Sequence, residues 1–156
     1  MEPIPRVSAR VLPVCPEGEV LLLQDLDPAV PGVLRWGTIG GAVDGDESLE
    51  QAAVREMREE TGLVVDAASL TPPVRRTIHE FSWNGTRYRG DNTFFALPLD
   101  RDVAITFDHL EPDEVDTVVG WRWWSPAAIA AAGGMVVDDL PEIMAVAVDA
   151  VLGARA

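Results

Sequence analysis

The order of elements in this chain predicts an α+β domain with a mixed β-sheet between helices. Strand-like segments dominate the first two thirds, one helical segment interrupts them at about Ser48 to Thr61, and helical segments close the chain. A length of 156 residues with a 47% hydrophobic fraction suits a single domain over 1–156 with a sizeable core. No repeat, low-complexity stretch or linker divides it.

Arg6 to Val14 alternates loosely and reads as a first strand. Val20 to Gln24 reads as a second, after a turn at Pro16-Glu17-Gly18. Asp25 to Arg35 carries proline and glycine and is expected to be a loop. Trp36 to Val43 leads into Gly40-Gly41 and the helix that follows. Val64 to Asp66 is expected to be a short strand. Val74 to Trp83 and Thr86 to Leu97 flank Asn84-Gly85, a dipeptide suited to a two-residue hairpin turn because both positions tolerate positive φ. That turn pairs Trp83 with Thr86, Phe81 with Tyr88, Ser82 with Arg87 and Glu80 with Arg89. Val103 to Phe107 is a further short strand candidate. Val115 to Trp124 is another, with Trp121 and Trp123 on one face. Ser125 caps a short helix with Pro126 at its first position. Asp138 to Leu152 is a terminal amphipathic helix, capped by Asp138 or Asp139 and closed by Gly153.

The most informative stretch is Gly41 to Leu63, GAVDGDESLEQAAVREMREETGL. Ser48 and Gln51 form a capping box, and Gly62 supplies a helix stop. At ~100° per residue, Leu49, Ala52, Ala53, Glu56, Glu59, Glu60 and Leu63 share one stripe. Its first half is apolar and faces a core. Its second half holds three carboxylates on the same side, where an ordinary amphipathic helix would be apolar. Like charges packed together and half-buried repel and lose hydration. A hard divalent cation resolves that conflict, because Mg²⁺ or Mn²⁺ prefers carboxylate oxygens.

Gly41, Glu47, Arg55, Glu56, Glu59, Glu60 and Gly62 stand in the order G-x5-E-x7-R-E-U-x-E-E-x-G-U, with apolar Met57 and Leu63 at the U positions. Every fixed position of the Nudix box is matched, and the chain resembles a Nudix hydrolase. The resemblance implies an α/β/α sandwich. It also implies hydrolysis of a nucleoside diphosphate linked to another moiety, such as a nucleoside triphosphate, a nucleotide sugar or ADP-ribose. Mg²⁺, with Mn²⁺ as an alternative, is the implied cofactor. A catalytically silent nucleotide sensor on the same fold is the alternative. The family usually has a proline just before Gly40-Gly41, where this chain has Ile39.

By the same resemblance, Glu56 and Glu60 are expected as direct metal ligands. Glu59 could ligate, work through water or act as base. Glu47 matches the glutamate often tied to the helix or to the metal's surroundings. Arg55, off the carboxylate stripe, is expected to hold a neighbouring glutamate by a bidentate hydrogen bond. Gly40 and Gly41 leave room for backbone near metal or phosphate. A further acid commonly comes from the loop before the Trp-rich strand. Glu111, Asp113 and Glu114 lie there, and Glu114 is preferred. Arg75, Arg76, Arg87 and Arg89 gather around the hairpin, and Arg87, Arg89 and Arg75 are candidates for substrate phosphate or ribose. A cross-strand Glu80–Arg89 pair is the structural alternative.

Composition narrows the partners. The net charge of −14 repels polyanions and argues against nucleic-acid polymers and anionic membranes. A small phosphorylated nucleotide screened by metal is compatible with it, and homodimer formation is left open. Every basic side chain is arginine, which excludes Schiff-base chemistry and suits phosphate recognition. No stretch is long and apolar enough to span a membrane, and MEPIPRVSAR carries no signal-peptide pattern. Cys15 is the only cysteine and is read as a strand residue, with a reducing cytoplasm as the expected compartment.

Overall fold

The computed structural model describes residues 2–132 and 139–153. Among the described residues there are seven strands: β1 (Ile4–Val14), β2 (Val20–Leu26), β3 (Leu34–Gly37), β4 (Ile39–Ala42), β5 (Arg75–Trp83), β6 (Thr86–Pro98) and β7 (Val118–Trp124). The α-helices of the described residues are α1 (Leu49–Thr61), α2 (Pro126–Ala132) and α3 (Leu140–Leu152). The sheet order is β3-β2-β1-β6-β5, with β4 paired to β1 and β7 to β2. β1 and β6 run parallel along their whole overlap, and the other pairs are antiparallel, so the sheet is mixed as expected.

Strand alternation divides the core in two. Ala9, Val11, Leu21, Leu23, Phe95 and Leu97 pack against Ala52, Ala53 and Met57 of α1. Leu12, Val14, Leu22, Phe94 and Ala96 pack against Ile143, Met144 and Ala147 of α3 and Ile129 of α2. Successive strand residues therefore serve opposite helical layers. One edge of β1 is shared. Ser8 to Val11 pair with β4, while Val14 pairs with Val20 of β2. This split carries Gly40 and Gly41 toward α1.

The hairpin forms in the expected register, with Trp83 opposite Thr86, Phe81 opposite Tyr88 and Glu80 opposite Arg89. Asn84 and Gly85 both have positive φ, at 49° and 80°. The expected Glu80–Arg89 ion pair is replaced by a diagonal one, Glu80 to Arg87 at 2.7 Å. Long side chains reach diagonal neighbours as readily as those directly opposite.

Four expectations are corrected. The segment 25–35 is not all loop, because β2 continues to Leu26 and β3 begins at Leu34. Val64 to Asp66 is not a strand; Val64 is 81% exposed, and Asp66 accepts the Ala68 N–H to start a 3₁₀ turn. Val103 to Phe107 is not a strand either. Ile105 and Phe107 pack on the α1 side of the core, and the Thr106 N–H donates to Thr61 O at 2.9 Å, closing the end of α1. β7 begins three residues later than expected, after a turn in which Thr117 and Val118 N–H groups donate to Glu114 O.

Trp121 and Trp123 share a face by alternation, yet Trp121 is 42% exposed while Trp123 is buried. Ser125 caps α2 by accepting the Ala128 N–H at 3.0 Å. Asp139 stands at the start of α3 without a side-chain cap, and Asp138, the other expected cap, lies outside the described residues. Cys15 is buried and free.

Candidate active site

α1 begins where the sequence places it. Ser48 accepts the Gln51 N–H at 3.0 Å, and Gln51 Oε1 accepts the Ser48 N–H at 2.8 Å. Gly62 ends the helix at φ 79° with its N–H on Arg58 O. The rigid helix then holds its acidic half against β4. Glu56, Glu59 and Glu60 are all buried. The Gly40 N–H donates to Glu60 Oε1 at 2.7 Å, fixing that carboxylate to the strand.

Gly41 has no side chain where one would collide: a Cβ there would lie 2.6 Å from Glu56 Oε1. Gly40 has φ 141°, and a Cβ would run into the Ala9 carbonyl. The two glycines thus do different things. Gly40 lets β4 lie against β1, and Gly41 makes space for the Glu56 carboxylate.

Arg55 is the hub of the acidic group. Its Nε and Nη2 donate to Glu47 at 2.8 and 3.0 Å, a bidentate pair. Nη1 donates to Glu56 at 3.0 Å and to Glu59 at 3.1 Å, and Nη2 also reaches Ala42 O at 2.9 Å. Glu47 in addition accepts the Asp44 N–H, so it ties the loop to the helix. Its bond to Arg55 holds the Glu47 carboxyl below the usual range. The Glu47 hydrogen bond in turn raises the Arg55 pKa.

Glu114 arrives from the loop before β7. Glu56, Glu60 and Glu114 each offer a carboxylate oxygen within 4.8 Å of the others. Among the described residues they are a set of acids close enough to hold one cation. Burial pushes the Glu56 carboxyl up to about 7, against the pull of Arg55 and with help from the charges of Glu59 and Glu114. Burial, then hydrogen bonding and charge from Glu114, raises Glu60 well above the ordinary range. Glu59 is raised by burial and held back by Arg55. Two buried carboxylates with raised pKa, Glu56 and Glu60, together with the Glu114 oxygen, are hard donors that fit a divalent cation.

A pH dependence follows for the protein in chelator. An acid whose folded pKa lies above its unfolded value binds more protons when folded. Its contribution is complete below about 4.5 and is lost as pH rises through the folded value. For Glu56 the loss runs from about 4.5 up to about 7, and Glu59 and Glu60 act in the same direction. Glu47 acts in the opposite sense, but its window lies on the acid side of 4.5. The melting temperature in EDTA should therefore fall between about pH 5 and pH 7. A midpoint that rises across that interval would contradict the raised values.

The hairpin arginines are placed differently from the box residues. Arg75 stands opposite Phe94 on the face turned to α3, and its Nη2 meets Glu142 at 3.2 Å. Arg87 and Arg89 lie at the exposed end of β6, and Arg87 pairs with Glu80. A different arginine comes up to the carboxylates. Arg10 Nη1 donates to Gly40 O at 3.1 Å, and burial lowers its pKa while Glu60 raises it. The sequence signal for it is the alternation Arg6-x-Ser8-x-Arg10, which puts three polar side chains on one face of the first strand.

Comparison with known proteins agrees with this geometry. A family model described as the NUDIX domain matches residues 4–144. An RNA pyrophosphohydrolase from Erythrobacter litoralis (strain HTCC2594) is 32% identical over 149 residues, which covers 89% of this chain and 80% of that protein. An NAD-capped RNA hydrolase, NudC, from Pseudomonas aeruginosa (strain LESB58) is 41% identical over 61 residues, covering 39% of this chain and 21% of its own length. The solved structure of the E. coli dihydroneopterin triphosphate pyrophosphohydrolase shares the fold, with a TM-score of 0.66 at 22% identity, over 95% of this chain and 98% of that one. No described helix is long and apolar enough to cross a membrane. With the family model spanning nearly all of the sheet and α1, the chain belongs to the NUDIX family of pyrophosphohydrolases.

Proposed function

We propose that this chain hydrolyses the pyrophosphate bond of a nucleoside diphosphate linked to a second moiety, with Mg²⁺ or Mn²⁺ held by Glu56, Glu60 and Glu114. The observation that carries the reading is the convergence of three carboxylates, two of them buried, within 4.8 Å. When bound, a divalent ion neutralises phosphate charge and lowers the pKa of water, which are the two requirements for attack on a shielded phosphorus. Glu59 lies outside that trio and is the candidate to accept the proton of the attacking water. Arg55 holds Glu56 and Glu59 in position, and Glu47 fixes Arg55 to the loop.

The substrate proposed is a small nucleotide: a nucleoside triphosphate, a nucleotide sugar or ADP-ribose. The names of the relatives support a second reading, in which the diphosphate is the 5′ end of an RNA. The net charge of −14 favours the small nucleotide, because it repels an extended polyanion more than a short one. Turnover of a nucleoside triphosphate can be compared with that of a 5′-triphosphorylated oligoribonucleotide beginning with the same base. A higher kcat/KM for the oligonucleotide would favour the RNA reading.

Activity should vanish in EDTA and return with Mg²⁺ or Mn²⁺ but not with Na⁺. Full turnover in excess chelator would sink the proposal. Gly41→Ala tests the carboxylate placement. The added methyl displaces the Glu56 oxygen, so Mn²⁺ affinity should fall by about tenfold or more, equivalent to ~1.4 kcal/mol. The fold should persist, since the contact is with the end of a side chain. Unchanged Mn²⁺ binding in the folded variant would remove Glu56 from the metal group.

A further inference from the structure

The face of β1 that packs on α3 through Leu12 and Val14 continues, by alternation, to Arg10, Ser8 and Arg6. On β6, Asn92 and Tyr88 extend the same face. Here β1 carries the guanidiniums of Arg6 and Arg10 where it carries Leu12 and Val14 further along. Arg10 bonds Gly40 O, and the Gly40 N–H bonds Glu60, so this polar stretch opens directly onto the carboxylate group.

A third guanidinium comes from β3. Arg35 stands opposite Asp25 of β2, but its Nε is 3.7 Å from the Asp25 oxygen, too far for a hydrogen bond. Asp25 also lies in the field of Arg10, which links the two arginines through one acid. Arg35 sits 4.9 Å over the Trp83 ring, and Arg6 sits 5.6 Å from the Tyr88 ring centre. The hairpin tip is drawn to this side by Asp27, which is buried and accepts the Asn84 N–H at 2.8 Å. The rings thus prop two guanidiniums in place and limit their freedom.

Those two guanidiniums are under-used. Among the described residues, the Nε atoms of Arg6 and Arg35 are buried and meet no hydrogen-bond partner. Arg35 Nε keeps only its 3.7 Å ion pair with Asp25, and an Nε–H withdrawn from water without a hydrogen bond is an unfavourable arrangement that an anionic oxygen would relieve. Resting on the hydrolase reading above, we propose that Arg6, Arg10 and Arg35 form an anion subsite beside the carboxylates. It takes the phosphate of the nucleoside monophosphate half of the substrate. Neither the box nor the hairpin arginines supply such a group next to Glu60.

Calorimetric titration of the full chain with AMP, GMP, CMP and UMP, and with their nucleosides, tests this in EDTA, where no metal can contribute. At least one monophosphate should bind, and more tightly than its nucleoside. R35Q and R6Q should each weaken that binding by about tenfold or more. R101Q makes the same change in net charge at the opposite end of the sheet, where Arg101 pairs with Glu19 at 3.2 Å, and should bind as the wild type does. Mn²⁺ binding by R35Q, followed by electron paramagnetic resonance, should be unchanged. R35K retains charge without the planar fork and should fall between wild type and R35Q, which keeps the test open if R35Q does not fold. The proposal is overturned if no monophosphate binds, if nucleosides bind equally well, or if R35Q and R6Q bind like the wild type. Arginine-dependent binding without metal-dependent turnover would sink the hydrolase reading and leave the anion subsite standing. Turnover with KM untouched by both substitutions would do the reverse.

Discussion

Glu60→Gln is expected to lower turnover by about three orders of magnitude or more, roughly 4 kcal/mol of transition-state stabilisation, without harming the metal-free fold. Glutamine keeps the Oε1 that accepts the Gly40 N–H at 2.7 Å. Its amide can donate to Glu114, which already shares a hydrogen bond with Glu60. The raised pKa biases the metal-free carboxyl toward its protonated form, so the substitution removes less charge than at an ordinary glutamate. Stability in EDTA should therefore stay within roughly 1 kcal/mol of the wild type and gain slightly at alkaline pH, where repulsion with Glu56 and Glu114 returns. Mg²⁺ should stabilise the wild type and raise its melting temperature far less in the variant. Melting curves with and without Mg²⁺, run beside a turnover assay, measure all of this. A variant that unfolds in EDTA but keeps wild-type turnover per folded molecule would show that Glu60 is structural.

Arg55→Ala should cost both stability and activity. One guanidinium donates to Glu47, Glu56, Glu59 and the Ala42 carbonyl. Removing it leaves three carboxylates facing one another, two of them buried. Breaking a buried ion pair from one side costs about 3–5 kcal/mol, and the 24% exposure of the Arg55 side chain lowers the expectation to roughly 2–4 kcal/mol. Arg55→Lys keeps the charge but cannot span four acceptors, so it should recover only part of the loss. Denaturant unfolding reads the stability term. Turnover corrected for the folded fraction should still fall by about tenfold or more, because Glu56 and Glu59 lose their positions. An alanine variant with an unchanged unfolding midpoint would mean that solvent or a cation already balances these acids.

How these residues could be found differs from case to case. The α1 cap, the carboxylate stripe and the hairpin register all depend on neighbours within a few residues. Ser48 with Gln51 and the φ > 0 pair at Asn84-Gly85 act through hydrogen bonds and dihedral limits that local sequence controls. The three-carboxylate face of α1 follows from helical pitch alone. For the same reason Arg55 could be assigned to a neighbouring glutamate before any fold was known.

Contacts distant along the chain are another matter. Val103 to Phe107 has the apolar pattern of a short strand, but its side chains cover the end of α1, because burial is satisfied by whichever apolar surface is nearest in space. Glu114 is the acid preferred from the sequence over Glu111 and Asp113, and the turn that follows them brings it to Glu56 and Glu60. The arginines reverse the expectation more strongly. Arg75 gathers with its neighbours in sequence yet turns to Glu142 on α3, whereas Arg10, far from the box along the chain, bonds the carbonyl of Gly40, whose N–H holds Glu60, with Arg6 in its field and Arg35 sharing Asp25 with it. Helix pitch and turn chemistry are local and could be read directly from the residues. Which strands lie side by side, and which face each helix leaves uncovered, depends on the packing of the whole sheet, and that alone brought the scattered charges to one place.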